Sequence, residues 1–306
     1  MRLNGSRSAM MAAATLVALA SATPSSAQTL EALPFDMKLQ LARAGDDEAQ
    51  RVVGTAYELG LESVDIDLGQ AARWYREAAD QGNVEAQYRL ARLVHKGGEG
   101  VEADPAQAAA LYEAAALQGH RDAQHWIGYA YEHGEGVEQD GAKAVEWYRR
   151  AAEAGHPAAQ NNLGLVFLSG KIVPRNLARA FSLFEQAAGQ SDHWGLNNLA
   201  GMYEMGWGTE QDRDKALELY RQAAELGNPH ARKNIARLEA ALKQATSSEQ
   251  GDAPAGDVPA GDVPVGDVPA GDAPAGDAPA ADESAGDAPA GDESGPAVEV
   301  QELDPL

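Results

Sequence analysis

The feature that most constrains this 306-residue chain is a period of 36 to 37 residues. Aligning Ala49, Ala86, Ala123, Ala159 and Gly195 brings Val53, Leu90, Ile127, Leu163 and Leu199 into register. Gly54, Ala91, Gly128, Gly164 and Ala200 follow in phase, then Tyr57, Val94, Tyr131, Phe167 and Tyr203. One further step of 36 reaches Ala231, with Ile235 and Ala236 again in phase. A period in this range marks a repeat architecture, where much that looks like a motif recurs because the fold requires it. Chains below about 40 residues rarely bury enough surface to stand alone, so each unit must stack on its neighbours.

Each unit divides into two predicted helices. The first, as in Asp122 to Gly134, ends in a Gly-x-Gly turn, Gly134 and Gly136, whose positive φ other residues resist. Asp140 is positioned to cap the second helix, which carries Ala144, Trp147, Tyr148, Ala151 and Ala152 on its buried side before Gly155. Equivalent caps are expected at Asp67, Asp104, Asn176 and Asp212. Leu30 to Ala44 reads as a half-repeat closing one end, with Gly45 as a helix stop and Asp46 and Asp47 opening the next helix.

The openings VEAQYRLARL and RDAQHWIGYAYEHGEGV, the Gly-x-Gly-Val turn and the ending WYRRAAEAGH resemble Sel-one-like repeats, relatives of the tetratricopeptide repeats. The resemblance implies an all-α fold, a right-handed superhelical solenoid of antiparallel helix pairs whose usual role is to bind other proteins. About five repeats are expected, over 46–83, 84–120, 121–156, 157–191 and 192–228, with capping helices in 28–45 and 229–245. Two places depart from the pattern. The first repeat has Gly60-Leu61-Glu62-Ser63 in place of the Gly-x-Gly turn, and the fourth ends in Ser191 where glycine is expected.

Residues 1–27 hold a basic head, an apolar run of about a dozen residues and small residues around Ala27, the order of a cleaved secretory signal. The run is well short of the roughly 20 residues a membrane span needs. The expected location is therefore periplasmic or secreted, and with no cysteine the fold must hold without disulfides.

Residues 246–306 form a separate segment. It runs in pentapeptides such as GDAPA and GDVPA, with ten Asp, five Glu and no basic residue. Proline removes backbone donors, and few large apolar groups are present to offset the ordering cost, so a disordered, extended tail is expected. The tail carries −15 of the formal charge of −23 and residues 28–245 carry −10. That balance argues against nucleic acid, which requires a basic surface. The tail's single aspartates, five residues apart and separated by proline, do not converge as a calcium site would require.

Nothing in the pattern favours a catalyst. His120 and His156 stand where Asn83 and Asn228 stand in other repeats, which assigns them to the helix-to-helix turn, and His133 falls in the Glu-His-Gly turn. There is no His-Glu-x-x-His pair, no Cys/His cluster and no Gly-x-Ser-x-Gly elbow, and the turn at Lys96 to Asp104 lacks the Gly-Lys-Ser/Thr ending of a phosphate loop. No catalytic residue, cofactor or metal is assigned.

By analogy with tetratricopeptide helices, the first helix of each pair would line a concave face, through the positions two before and two after its core aliphatic residue. These are Arg51 and Thr55, Tyr88 and Arg92, His125 and Tyr129, Asn161 and Leu165, and Asn197 and Gly201. The tyrosines offer amphipathic area and the asparagines could bond a peptide backbone. The same positions also suit plain solvated helix residues. The expected function is a non-enzymatic scaffold, an adaptor or negative regulator in the bacterial cell envelope that holds a segment of a protein partner. The alternative is an envelope hydrolase or peptidoglycan-binding factor. An intramolecular contact between the acidic tail and Arg51, Arg89 and Arg92 is a further expectation.

Overall fold

The computed structural model describes residues 30–250. The segment read as a signal, and the tail from residue 251 onward, lie outside the described residues. Within them are twelve named α-helices. α1 (Phe35–Arg43) precedes five pairs: α2 (Asp47–Leu59) with α3 (Leu68–Ala79), α4 (Val84–Lys96) with α5 (Pro105–Leu117), α6 (Arg121–His133) with α7 (Gly141–Glu153), α8 (Pro157–Ser169) with α9 (Leu177–Gly189), and α10 (His193–Met205) with α11 (Arg213–Glu225). α12 (Ala231–Gln250) closes the series. It runs past residue 245, where the sequence reading ends it; Thr246 to Gln250 contains neither Pro nor Gly to stop it. The chain forms two compact units, the first ending at Ala154 and the second starting at Gly155.

Side chains that cap the ten paired helices set their boundaries, whereas α1 follows Pro34 without a side-chain cap. Asp67, Asp104, Asp140, Asn176 and Asp212 accept from backbone N–H groups at the start of α3, α5, α7, α9 and α11, as the sequence predicts. The first helices of the pairs begin at Asp46, Asn83, His120, His156 and Asp192. The two histidines do the work of Asn or Asp: His120 Nδ1 accepts from Ala123 N–H and His156 Nδ1 from Ala159 N–H, each at 3.2 Å. An accepting Nδ1 in the neutral ring assigns the proton to Nε2. Such caps are worth about 1 kcal/mol each.

In the first unit, Tyr75 and Tyr148 are fully buried on Gly54 and Gly128. A Cβ at Gly128 would lie 2.8 Å from the Tyr148 ring, so the glycine is what admits the ring. Burying such a side chain contributes roughly 2 to 3 kcal/mol. Their hydroxyls are satisfied: Tyr75 donates to Glu58 (2.5 Å) and Tyr148 to Glu132 (2.6 Å). Gly136, at φ 72°, is fixed twice over, because a Cβ there would stand 2.0 Å from the Pro105 carbonyl oxygen.

The second unit uses the same packing with one substitution of chemistry. Tyr220 donates to the buried Glu204 (3.0 Å), while in the preceding repeat Phe184 replaces the tyrosine and Leu168 the glutamate. Donor and acceptor are removed together, which leaves no orphaned buried group. Arg237 of α12 forks onto Glu204 through Nη1 (2.5 Å) and Nη2 (2.7 Å). Leu238 is buried, whereas Ile235 is half-buried and Ala236 exposed.

The two departures from the repeat appear as local strain. Glu62 (φ 56°) and Ser63 (φ 64°) occupy the left-handed region in the first turn, and Ser191 (φ 61°) keeps the conformation that glycine has in the other repeats.

Candidate partner-binding face

The residues that vary around the fixed scaffold sit on the first helix of each pair. In the first unit they form two connected clusters. One is ionic. Arg51 binds Glu48 through Nε (3.0 Å) and Nη2 (2.6 Å), and Glu48 also accepts from Asn83 (3.2 Å). Arg89 of α4 bridges Glu85 (2.6 Å) and Glu58 (3.3 Å), while Glu85 meets His120 Nε2 at 3.1 Å. Burial pushes the Glu85 carboxyl up, but the His120 hydrogen bond and the Arg89 charge outweigh it and hold the group at about 2. Burial likewise tends to raise Glu48, and Arg51 brings it below its usual value.

The other cluster is aromatic. Tyr88 stacks on His120 (4.3 Å between centroids) and leans towards Tyr112 (6.1 Å). Tyr112 lies nearly parallel to Trp126 (5.7 Å, 11°), and Trp126 touches His95 (5.3 Å), His125 (5.8 Å) and Tyr129 (6.0 Å). Tyr129 in turn stacks on His133 (4.1 Å). The Arg92 guanidinium stands 5.9 Å over the Tyr88 ring. Burial, helped by the charge of Asp122, raises the Tyr88 hydroxyl to about 12, so it stays a neutral donor at physiological pH.

The second unit replaces rings and charges with amides. Asn161 accepts from Asn198 Nδ2 (2.8 Å) and approaches Asn162 Oδ1 (3.4 Å). Asn197 accepts from Asn234 Nδ2 (2.9 Å). Leu165 and Gly201 are half-buried on the same helices.

Burial divides the expected inner row. Arg51, Thr55, Tyr88, Arg92, Tyr129 and Leu165 are half-buried and retain exposed surface. His125, Asn161 and Asn197 do not face open solvent: they are 5%, 4% and 8% exposed. The reason in the second unit is that the next first helix lies over them, delivering Asn198 onto Asn161 and Asn234 onto Asn197. The residue one before each core aliphatic position carries the exposure instead: Val52, Arg89, Trp126, Asn162 and Asn198. Trp126, Asn162, Asn198 and Asn234 were missed by the sequence reading, although the same alignment puts them in one column.

Arg51 and Arg89 also differ from expectation, since both are committed to carboxylates on the fold. Arg92 forms no ion pair among the described residues. No set of three metal-ligating side chains is grouped among the described residues, and no helix there is long and apolar enough to cross a membrane.

Comparison with known proteins fits this geometry. The Sel1 repeat model matches residues 47–83, 84–120, 121–156, 157–192 and 195–228, more than half of the chain. The chain is similar to c5321, a protective antigen of uropathogenic Escherichia coli with an SLR fold. Identity is 35% and the TM-score 0.62, over 69% of this chain and 44% of that one. It is also similar to a Sel1 repeat protein from Oxalobacter formigenes, at 30% identity and a TM-score of 0.60, over 66% of this chain and 86% of that one. The chain thus spans less than half of the Escherichia coli protein. No curated protein matches.

Proposed function

The chain belongs to the Sel1 repeat family, whose repeats generally mediate protein–protein interaction, and from that premise we propose that it is a non-enzymatic scaffold for a partner protein. Each unit presents a candidate contact row on the first helices of its own pairs. In the first unit Tyr88, Trp126 and Tyr129 supply amphipathic contact area beside the unpaired Arg92. In the second, Asn198 and Asn234, whose Nδ2 groups each already donate to an asparagine of the preceding first helix, present their amide oxygens to a peptide main chain. The order of basic, apolar and small residues in 1–27 supports a periplasmic or secreted adaptor, assembly factor or negative regulator. The chain's own acidic tail is a candidate occupant of the same face.

One observation carries this reading. The Trp126 column holds Val52, Arg89, Asn162 and Asn198 in other repeats, so the scaffold does not require a ring there, yet that ring joins a continuous aromatic surface. Capture from host envelope extract should recover a partner with the wild type and lose it with Tyr88→Ala/Arg92→Ala/Trp126→Ala. Equal recovery of every protein by both would overturn the assignment.

A further inference from the structure

The aromatic face of the first unit has a chemistry that the chain's own C-terminal segment matches. Its half-buried rings Tyr88, His95, Trp126 and Tyr129 are linked at 5 to 6 Å through one another and the buried Tyr112. The charges beside them are mostly settled internally: His95 faces Glu135 at 3.5 Å, and Asp122 faces Arg121 at 3.5 Å. Arg92, lying over Tyr88, is a cation for which no ion pair is formed among the described residues. Aromatic grooves with a flanking cation suit extended, proline-bearing peptides. Such peptides lose little freedom on binding because proline already fixes φ, and the rings take the pyrrolidine faces.

Residues 251–290 contain seven Asp-Ala-Pro or Asp-Val-Pro triplets, at Asp252, Asp257, Asp262, Asp267, Asp272, Asp277 and Asp287. Each places a carboxylate two residues before a proline, roughly 6 Å away in an extended left-handed conformation. A proline on the rings thus leaves an aspartate within reach of Arg92, where a charge-assisted pair forms. The 56 residues beyond Gln250 span up to roughly 190 Å, longer than twelve helices laid side by side at about 10 Å each. Reach is not limiting, and a tether of this kind gives an effective concentration in the millimolar range.

We propose that the Asp-x-Pro triplets of residues 251–290 bind this face in cis, as an internal competitor for the partner. The inference rests on the partner-binding reading above and gives that face a second, intramolecular ligand. Because seven nearly equivalent triplets compete for one face, no single register is required. The occupancy is electrostatically biased and weakens with salt.

The full chain tests this, with Asp→Asn at all seven triplet aspartates and Trp126→Phe made in both backgrounds to isolate the Trp126 signal. Acrylamide quenching of Trp126 should rise about twofold in the Asn variant, and about 0.5 M salt should raise it in the wild type alone. Arg92→Ala should reproduce the rise, with circular dichroism unchanged. Equal quenching in wild type and Asn variant would overturn the proposal, and so would a difference that appears only at high protein concentration, which means binding between copies. Failure here is separable from failure of the scaffold reading. If the tail does not bind, the Asn variant captures partner as the wild type does, while Tyr88→Ala/Arg92→Ala/Trp126→Ala still abolishes capture.

Discussion

Gln124 shows how one residue can break a repeated bond. Gln50, Gln87 and Gln160, three residues before the core aliphatic, are buried, and each accepts from a glutamine at the end of its own pair: Gln81 (2.8 Å), Gln118 (2.9 Å) and Gln190 (2.8 Å). In the fifth pair both positions are leucine, Leu196 and Leu226. The third pair keeps the acceptor, Gln124, but has Ala154 where the donor belongs. Gln124 Oε1 is accordingly the one buried side-chain N or O atom without a hydrogen-bond partner among the described residues. An orphaned buried acceptor costs on the order of 1 to 3 kcal/mol. Ala154→Gln should therefore stabilise the protein by about 1 kcal/mol, read as a raised urea midpoint. An unchanged or lowered midpoint would contradict this account of the ladder.

At the scale of helices, the caps were legible and the long-range pairs were not. Asp or Asn before each second helix announces its start because the capping bond is local, spanning two or three residues. The first turn departs from the repeat for a reason no local pattern carries. Glu62 sits at positive φ and forms an ion pair with Lys38, a residue of α1 that is 3% exposed and also donates to the Glu31 carbonyl (2.9 Å). The strained turn places a counter-ion over a buried ammonium and fastens α1 to the first pair. Glu62→Gln removes that counter-ion and should destabilise the chain by about 2 to 3 kcal/mol, whereas Lys38→Met, which removes the charge itself, should cost less. Equal losses in urea titrations would count against the pairing.

Glu85 makes a similar link between α4 and the cap of α6, and its effect depends on pH. Its folded value, about 2, is below the 4.5 of a free glutamate, so its stabilisation is complete above about 4.5 and disappears as pH falls through 2. The side chain is 36% exposed, so screening reduces the contribution to about 1 kcal/mol. Glu85→Gln should lower stability by that amount at pH 7 and by nothing near pH 2. A deficit that persists at the acid end would mean the loss is one of packing.

At the scale of the whole molecule, the repeat period gave the number of units and their need to stack, and the resemblance to Sel-one-like repeats implied the all-α fold of helix pairs. The exposed part of the candidate face was only half legible. Tyr88, Arg92 and Tyr129 were placed by the analogy with tetratricopeptide helices. Knowing that Asn161 and Asn197 are covered, and that Trp126 is not, required the position of the following helix, which the period leaves open. Net charge acts at this scale too. With −10 on residues 28–245 and −15 on the tail, long-range repulsion disfavours nucleic acid, while the aromatic face and the local charge of Arg92 supply contacts that net charge does not describe.

The central claim is that partners meet the first helices of the pairs, centred on the rings of the first unit. It is tested most directly by placing a photo-crosslinking amino acid at Tyr129, and separately at the exposed Glu146 on the second helix of the same pair, in the native host. The account predicts protein adducts from position 129 and none above background from 146. Adducts from 146 alone, or equal adducts from both, would contradict it.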